Sequence, residues 1–410
     1  MNFEYFTAKR IIDSKTYKSS VSAPIIKIGI AAIAIGMVVM MIAIATGIGL
    51  QQKIRDKVVA FNGHILISNF GNNNSQESDG SISLNQDFYP QFNSVEGVNH
   101  IQGVATKFGV IRTEIDFEAV IVKGVGPDFK WDYFQEFLIE GELPKYTQAY
   151  SEDVLVSQYI ANRLNLKLGD TIQTYFLSED YKNTRIVPYK IKGVYNSGFQ
   201  DLDKTYIISN IRHIQRLNKW EPDQVGHFEV FVNDYNELQN IQNAVYENTP
   251  SKMNTVTVEQ KYESVFEWIN IFDKNIYGII GIMILVAGIN MITALLVLIL
   301  ERTQMIGILK ALGSSNLSIR KIFLYNASYL IVLGLFWGNI IGLGILLAQK
   351  YFKLFPLNPD VYYVSEAPVY LSIGYIVALN IGTFVMCMIM LLLPSYIITK
   401  ISPVKAMRFE

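Results

Sequence analysis

Four stretches of this chain, residues 28–50, 276–300, 322–348 and 369–393, contain no Asp, Glu, Lys or Arg. Each reaches the roughly 20 residues that a helix needs to cross the hydrocarbon core of a bilayer. A helix in a water-soluble core keeps one polar face, so a run that is apolar on every side is expected to lie in lipid. Four membrane-spanning helices are the primary expectation.

Half of the residues are hydrophobic, yet 17% are charged, so the charges must be concentrated outside these runs. Residues 51–274 have ordinary globular composition and fall between the first and second runs. The expected fold is therefore a membrane α-helical chain with four transmembrane helices and a large mixed α/β extracytoplasmic domain inserted between helices 1 and 2. Usual domain sizes divide that domain into a membrane-proximal part, 51–125 and 226–274, and an inserted distal part, 126–225.

Basic flanks set the orientation. Lys9, Arg10, Lys15, Lys18 and Lys27 lie in an amphipathic N-terminal segment, 1–27; Arg302, Lys310, Arg320 and Lys321 lie in 301–321; Lys400, Lys405 and Arg408 lie in the tail, 394–410. The positive-inside rule places all three in the cytoplasm, and parity places 349–368 outside with the large domain. Lys53, Arg55 and Lys57 oppose the rule, but large domains translocate largely regardless of charge. The first run is expected to stay as an anchor, being long for a signal peptide and followed by no small-residue cleavage site. The sole cysteine, Cys387, falls in the fourth run, where it is expected to pack and where it leaves no intrachain disulfide for the outer domain. A net charge of −1 gives no nucleic-acid footprint.

Period-two alternation predicts strands within 63–70, 110–125, 171–176 and 228–233. Residues 151–170 open on acidic cap candidates and space Val156, Ile160 and Leu164 helically, which predicts a surface helix closed by a Gly-Asp turn. Residues 235–247 predict a second amphipathic helix, and 71–81 a polar loop. His64, His100, His213 and His227 show no metal-ligand spacing, and Asp201 and Asp203, or Glu114, Asp116 and Glu118, read as turns and exposed strand faces rather than acid–base pairs. No phosphate-binding G-x-x-x-x-G-K-[ST] loop and no G-x-S-x-G elbow occurs. The chain is expected to be a non-catalytic membrane subunit without cofactor or metal. Ion-driven carriers usually keep ionisable groups in their spans; here the polar content is Asn290, Thr293, Asn339 and Asn380, expected to bond between helices. Gly29, Gly36, Gly338, Gly342 and Gly344 point to close helix packing.

The segment 301–321, between the second and third runs, is the expected cytoplasmic contact. As a short helix it would offer Ile306, Leu309, Ala311 and Leu312 as an apolar knob, with Glu301, Arg302 and Lys310 at its edges, before the turn at Gly313.

Its sequence, ERTQMIGILKALGSSNLSIRKIFL, resembles the cytoplasmic loop of FtsX-like/MacB-type ABC transporter permeases, and the tail PSYIITKISPVKAMRFE resembles the family's ending. The N-terminal FEYFTAKRII, the run LVSQYIANRLNLKLGDTIQTYF and the following YKIKGVYNSGFQDLDKTYIISNIRHIQRL most resemble the lipoprotein-releasing permeases of the LolC/LolE type. That resemblance implies a multi-pass protein of the bacterial inner membrane, with both termini cytoplasmic and the large domain periplasmic. It implies a cytoplasmic ABC ATPase dimer that binds ATP and Mg in separate chains, and a second permease subunit, itself or a paralogue. It also implies a lipoprotein substrate drawn from among membrane lipids, and a periplasmic lipoprotein carrier. Glu301, Arg302, Ile306, Gly307, Leu309, Lys310, Leu312 and Gly313 would couple to the ATPase. Met37, Met40, Met41, Met283 and Ile284 would line a lipid or cargo cavity. The family's carrier-binding hairpin would correspond to 176–189, with Tyr181, Ile186 and Pro188 as anchors, although Pro188 is its only proline. Two alternatives share the architecture: a MacB-like mechanotransmission exporter of peptides or drugs, and an FtsX-like regulator of a cell-wall hydrolase.

Overall fold

In the computed structural model, which describes residues 3–13, 23–72, 76–78, 80–177 and 184–401, the chain divides into two compact units. An α/β unit comprises Gln52–Trp268 with Leu357–Ser365, and a helical unit takes in the remaining described residues.

The α/β unit has strands β1 (Ile65–Asn69), β2 (Ile82–Ser83), β3 (Val98–Arg112), β4 (Phe117–Val125), β5 (Leu138–Gly141) and β6 (Asp153–Ser157). They are followed by β7 (Thr171–Leu177), β8 (Thr184–Tyr195), β9 (Tyr206–Asn210), β10 (Gln224–Val225), β11 (His227–Val232) and β12 (Met253–Thr257). Ten of them form one sheet in the order β12-β1-β11-β3-β4-β9-β6-β8-β5, with β7 pairing both β3 and β8; β2 and β10 pair separately. The circuit β3-β4-β9-β6-β8-β7 returns to β3, so six strands close on themselves, which removes free edges. Parallel pairing occurs at β4–β9 and β6–β8. The interior is filled by Ile and Val with Phe176, Tyr189 and Phe228.

This topology corrects the expected division of the domain at residues 125 and 226. β3 pairs β11 along Val98–Val104 and β7 along Val110–Arg112. One long strand thus belongs to both expected parts, and a single apolar core runs through them. Two element expectations change as well. The stretch 110–125 contains a hairpin turn, where the Thr113 hydroxyl donates to the Asp116 carbonyl at 2.9 Å. The helix expected from Ser151 begins only at Gln158 and ends at Arg163. Val154, Leu155 and Val156 are instead buried in β6, and the Ser157 hydroxyl accepts from the Ile160 amide at 3.1 Å to cap the short helix. Buried β-branched residues won over helical spacing there. The Gly-Asp turn stands as expected, with Gly169 at φ +87°. The second amphipathic helix runs Leu238–Glu247 behind a short 3-10 turn. The expected loop at 71–81 lies partly outside the described residues.

The helical unit is built on four helices long and apolar enough to cross a membrane. They run Ala23–Asn62, Glu263–Glu301, Asn316–Phe352 and Ile373–Ser395; the first three extend beyond the uncharged runs they contain, and the fourth starts four residues into its run. The first and second continue into the α/β unit, to which residues 52–62 and 263–268 belong. The third carries Gly334, Gly338 and Gly342 at four-residue spacing against the first. A Cβ on Gly338 would lie 2.7 Å from Met37 Cβ, and one on Gly334 would lie 2.8 Å from Ile33 Cβ. Small residues thus let the helices approach closely enough for dispersion contacts, which drive association where water is absent. Gly344, by contrast, faces no atom within 4 Å. The Asn339 amide donates to Asn380 Oδ1 at 2.7 Å and Asn380 returns the bond at 3.0 Å, so this pair bridges the third and fourth helices as expected. Asn290 and Thr293 differ: each donates to a carbonyl one turn back in its own helix. The N-terminal helix Phe3–Asp13 packs on the third through Ala8 and Ile11 against Ile322, and the Ser318 hydroxyl donates to Glu4 Oε1 at 2.7 Å.

Candidate functional site

The segment expected as a loop is helix, turn, helix. The second long helix stops at Glu301, a short helix follows over Thr303–Ala311, and Gly313 at φ +88° turns the chain. There the Gly313 amide donates to the Lys310 carbonyl and the Ser314 amide to the Leu309 carbonyl, both at 3.0 Å, closing the helix end as a Schellman motif. The Ser315 hydroxyl then accepts from the Ser318 amide at 3.2 Å and starts the third helix at Asn316, six residues before the expected 322.

Two cations lock this element to the last turn of the fourth helix and to the short helix Ile397–Lys400 that follows it. Lys310 Nζ donates to the carbonyls of Ile398 at 2.7 Å and Ile401 at 2.8 Å, satisfying acceptors that a helix C-terminus leaves orphaned. Arg320 Nη2 donates to Ser395 Oγ at 3.0 Å and to the Leu392 carbonyl at 3.3 Å. The expected knob is thereby split, with Ile306 inside and Ala311 and Leu312 outside. Ile306 and Gly307 are buried, Leu309 packs half-buried against the bundle and Lys310 points inward, because the short helix sets its apolar stripe on its own unit. Glu301, Leu312 and Gly313 remain at the surface, and Arg302 is half-buried. The apolar surface left open is formed by Ile308 (52% exposed), Leu312 (78%) and Leu317 (66%).

Met37, Met40 and Met41 lie in the core of the helical unit. All three are fully buried, with Met37 and Met41 seated against Gly338 and Gly342, so the glycine stripe turns them into interhelical packing. Met283 and Ile284 sit half-buried against the same core. In the hairpin of β7 and β8, Tyr181 lies outside the described residues, while Ile186 and Pro188 are exposed. They border a cavity of about 380 Å³ with Tyr150, His213 and Arg216.

The α/β unit holds a buried polar knot that alternation along the strands concealed. Lys123 on β4 and Glu229 on β11 are each 1% exposed, with Lys123 Nζ 2.5 Å from Glu229 Oε1. The same ammonium donates to the carbonyl of Phe61, next to last in the first long helix, at 2.5 Å. Gln102 donates to Glu229 Oε2 at 2.8 Å, and His227 Nε2 lies 3.6 Å from Oε1. Burial pushes the Glu229 carboxyl up, but Lys123 and His227 outweigh it and hold the group at about 2. Beside it, Lys261 Nζ and the Tyr262 hydroxyl, just ahead of the second long helix, donate to Asn62 Oδ1 at 3.3 and 3.0 Å. The end of the first long helix, the sheet and the approach to the second are thus joined through one set of satisfied polar groups. The available signal was a lysine inside AVIVKGV and a glutamate inside HFEVFV, charges where strands are otherwise apolar.

The histidines have structural partners: His100 and His213 reach the carbonyls of Asp128 and Ser151 at 2.8 and 2.7 Å, and His64 Nδ1 accepts from the Val232 amide at 3.3 Å. Asp203 is a buried carboxylate that accepts from Ser197 Oγ at 2.7 Å and from the Gly198 amide at 3.1 Å, holding a turn. Among the described residues no three His, Cys, Asp or Glu side chains converge as metal ligands.

Two family models match the chain. The MacB-like periplasmic core domain covers residues 28–248 and the FtsX-like permease C-terminal domain covers residues 277–403. The lipoprotein-releasing system transmembrane protein LolC of Xylella fastidiosa strain Temecula1 is 21% identical over 397 residues, 92% of each chain. LolE of Haemophilus influenzae, of the same system, is 21% identical over 385 residues, 90% of each chain. An uncharacterized ABC transporter permease of Methanocaldococcus jannaschii is 26% identical over 182 residues, 42% of this chain and 50% of the relative. With a MacB-like core domain over more than half its length and an FtsX-like domain behind it, the chain belongs to the FtsX/MacB/LolC family of ABC transporter permeases.

Proposed function

We propose that this chain is the permease subunit of a lipoprotein-releasing ABC transporter. ATP hydrolysed by a separate ATPase dimer would extract lipoproteins from the bacterial inner membrane for transfer to a periplasmic carrier. The observation that carries this reading is similarity to LolC and LolE along about nine-tenths of both chains rather than over a shared membrane domain alone. Orientation follows the basic flanks: both termini and residues 301–321 in the cytoplasm, the α/β unit in the periplasm.

The ATPase would dock on Ile308, Leu312 and Leu317, an apolar patch of the kind a partner groove accepts. A push there would pass through Lys310 and Arg320 to the end of the fourth helix, and through the polar knot at Phe61, Lys123 and Glu229 to the sheet. The chain would itself catalyse nothing. A second permease subunit, identical or paralogous, would complete the assembly, and any cargo surface formed by Met283 or Ile284 would depend on it.

The test is reconstitution of the permease and its ATPase in liposomes with a fluorescent acylated protein and a soluble acceptor. ATP-dependent transfer of the label to the acceptor is expected. Export of unacylated peptide with no transfer of acylated protein would replace this reading with the exporter.

A further inference from the structure

A cavity of about 450 Å³ in the α/β unit serves neither the ATPase-facing element nor the polar knot. Its volume lies within the range of roughly 300–1,000 Å³ usual for ligand sites. Four carboxamides, Gln158, Asn162, Asn196 and Gln200, contribute to its lining, with Tyr159 and Ile139 as apolar surface. The charges within it are already engaged. Asp203 holds the Ser197–Gly198 turn, and Lys57 Nζ donates to the Tyr363 carbonyl at 2.8 Å. The Asn196 amide donates to Gln158 Oε1 at 3.0 Å, which leaves the Gln158 amino group, Asn162 and Gln200 facing the space.

One ammonium, Lys57, against two carboxylates, Asp203 and Glu136, makes the lining unsuited to an anionic phosphate. A carboxamide offers one acceptor and one donor group side by side, the complement of a peptide bond, so repeated carboxamides recognise polypeptide backbone whatever its side chains.

One wall of the cavity comes from a segment distant in sequence. Pro359 and Ser365 come from Leu357–Ser365, a strap that belongs to the α/β unit although it joins the third and fourth long helices in sequence. Tyr363 anchors the strap: its ring stacks on Phe199 at 4.4 Å and meets Trp268 edge-on at 5.5 Å. Its backbone is held at φ +58°, in the left-handed region that a residue with a Cβ rarely adopts. Such strain persists only where surrounding contacts over-determine it, and here the two rings and Lys57 do so.

We propose that this cavity binds an extended, uncharged stretch of polypeptide, the segment that follows the lipid anchor of the transported protein, and that the strap relays its occupancy to the third and fourth helices. The assignment of that segment rests on the lipoprotein-release reading. Lys57 stands seven residues beyond Leu50, where the first uncharged run ends and the helix becomes polar.

The test uses the full chain in detergent with three labelled probes: a diacylglyceryl-cysteinyl peptide with a Ser-Gly-Asn tail, the same peptide without acyl chains, and diacylglycerol alone. Asn162→Trp and Gln200→Trp, both on the cavity rim, should weaken both peptides at least about tenfold and leave diacylglycerol binding unchanged, while Asn243→Trp on a distant helix changes nothing. Equal affinity for the peptides in the rim variants, no peptide binding by the unmodified chain, or an equal loss for diacylglycerol overturns the proposal. Cavity-dependent peptide binding without ATP-driven release would remove the release reading and leave the site standing. Release in liposomes with unaffected peptide binding would do the reverse.

Discussion

Lys123→Met removes the central donor of the polar knot while keeping most of the side-chain volume. In the native chain its ammonium serves two acceptors at 2.5 Å, Glu229 Oε1 and the Phe61 carbonyl, in surroundings where lysine and glutamate are each 1% exposed. Breaking a buried pair from one side costs about 3–5 kcal/mol, because the surviving charge stays dehydrated and unpaired. The Phe61 carbonyl loses its donor as well, adding about 1–3 kcal/mol. Protonation of Glu229 limits the total: without Lys123 its carboxyl rises from about 2 and can take up a proton instead of remaining a buried anion. A loss of about 3–5 kcal/mol is therefore expected, comparable with the whole stability of many domains. The double variant Lys123→Met/Glu229→Leu should recover part of it, since no lone charge remains, but not all, because the Gln102 amino group and the Phe61 carbonyl lose their partners. Hydrogen exchange in the full detergent-solubilised chain is the assay, read at β4, β11 and the end of the first long helix, where local opening free energies can be resolved. The reasoning is refuted if Lys123→Met stays within about 1 kcal/mol of the parent, or if the double variant is worse than the single.

Ile308→Asp and Leu312→Asp should abolish stimulation of the partner ATPase while leaving membrane insertion and thermal unfolding near the parent; stimulation at parental level removes that face from the docking reading. Ile306→Asp buries a carboxylate in the helical core and should instead lower the yield of folded protein, as seen by size-exclusion chromatography. Gly338→Ala would place a Cβ 2.7 Å from Met37 Cβ and should lower the melting temperature in line with about 1–3 kcal/mol of overpacking, whereas Gly344→Ala should be neutral or stabilising. Burial holds the His213 imidazole at about 4, below its ordinary 6.5, so the native state keeps it neutral. Its contribution is fully present above pH 6.5 and is lost as pH falls toward 4, by up to about 3 kcal/mol, and His213→Asn should flatten that part of the stability profile.

The helical unit was largely legible because its signal is local and additive. Uncharged runs at 28–50, 276–300 and 322–348 lie within long helices, most of 369–393 lies within the fourth, and Gly338, Gly342 and the Asn339–Asn380 pair fall at interhelical contacts. The α/β unit was legible only element by element. Alternation found β1, β7 and β11, but in 151–170 a strand and a six-residue helix were merged, since Val154–Val156 satisfies helical spacing until a neighbouring strand buries it. For residues 301–321 the sequence suggested a short helix before a turn at Gly313, but not which of its faces is buried. Whether Ile306 or Ile308 points outward depends on Lys310 and Arg320 reaching the fourth helix some eighty residues away, a register that no local pattern carries.

By itself, then, the sequence determined that four segments suit lipid, that a polar domain of about 220 residues lies between the first two in chain order, and that residues 301–324 resemble a loop of the family. Hydrophobic transfer depends on composition along a run, so no partner need be known. Only the tertiary structure decided that β3 runs through both expected halves and closes a ring of strands, and that Met37 and Met41 fill glycine notches. It alone brought Lys123 to Glu229 and Phe61, and drew residues 357–365 into the α/β unit. Those outcomes rest on close packing and on the cost of an unpaired buried polar group, which depend on distances between residues far apart in the chain.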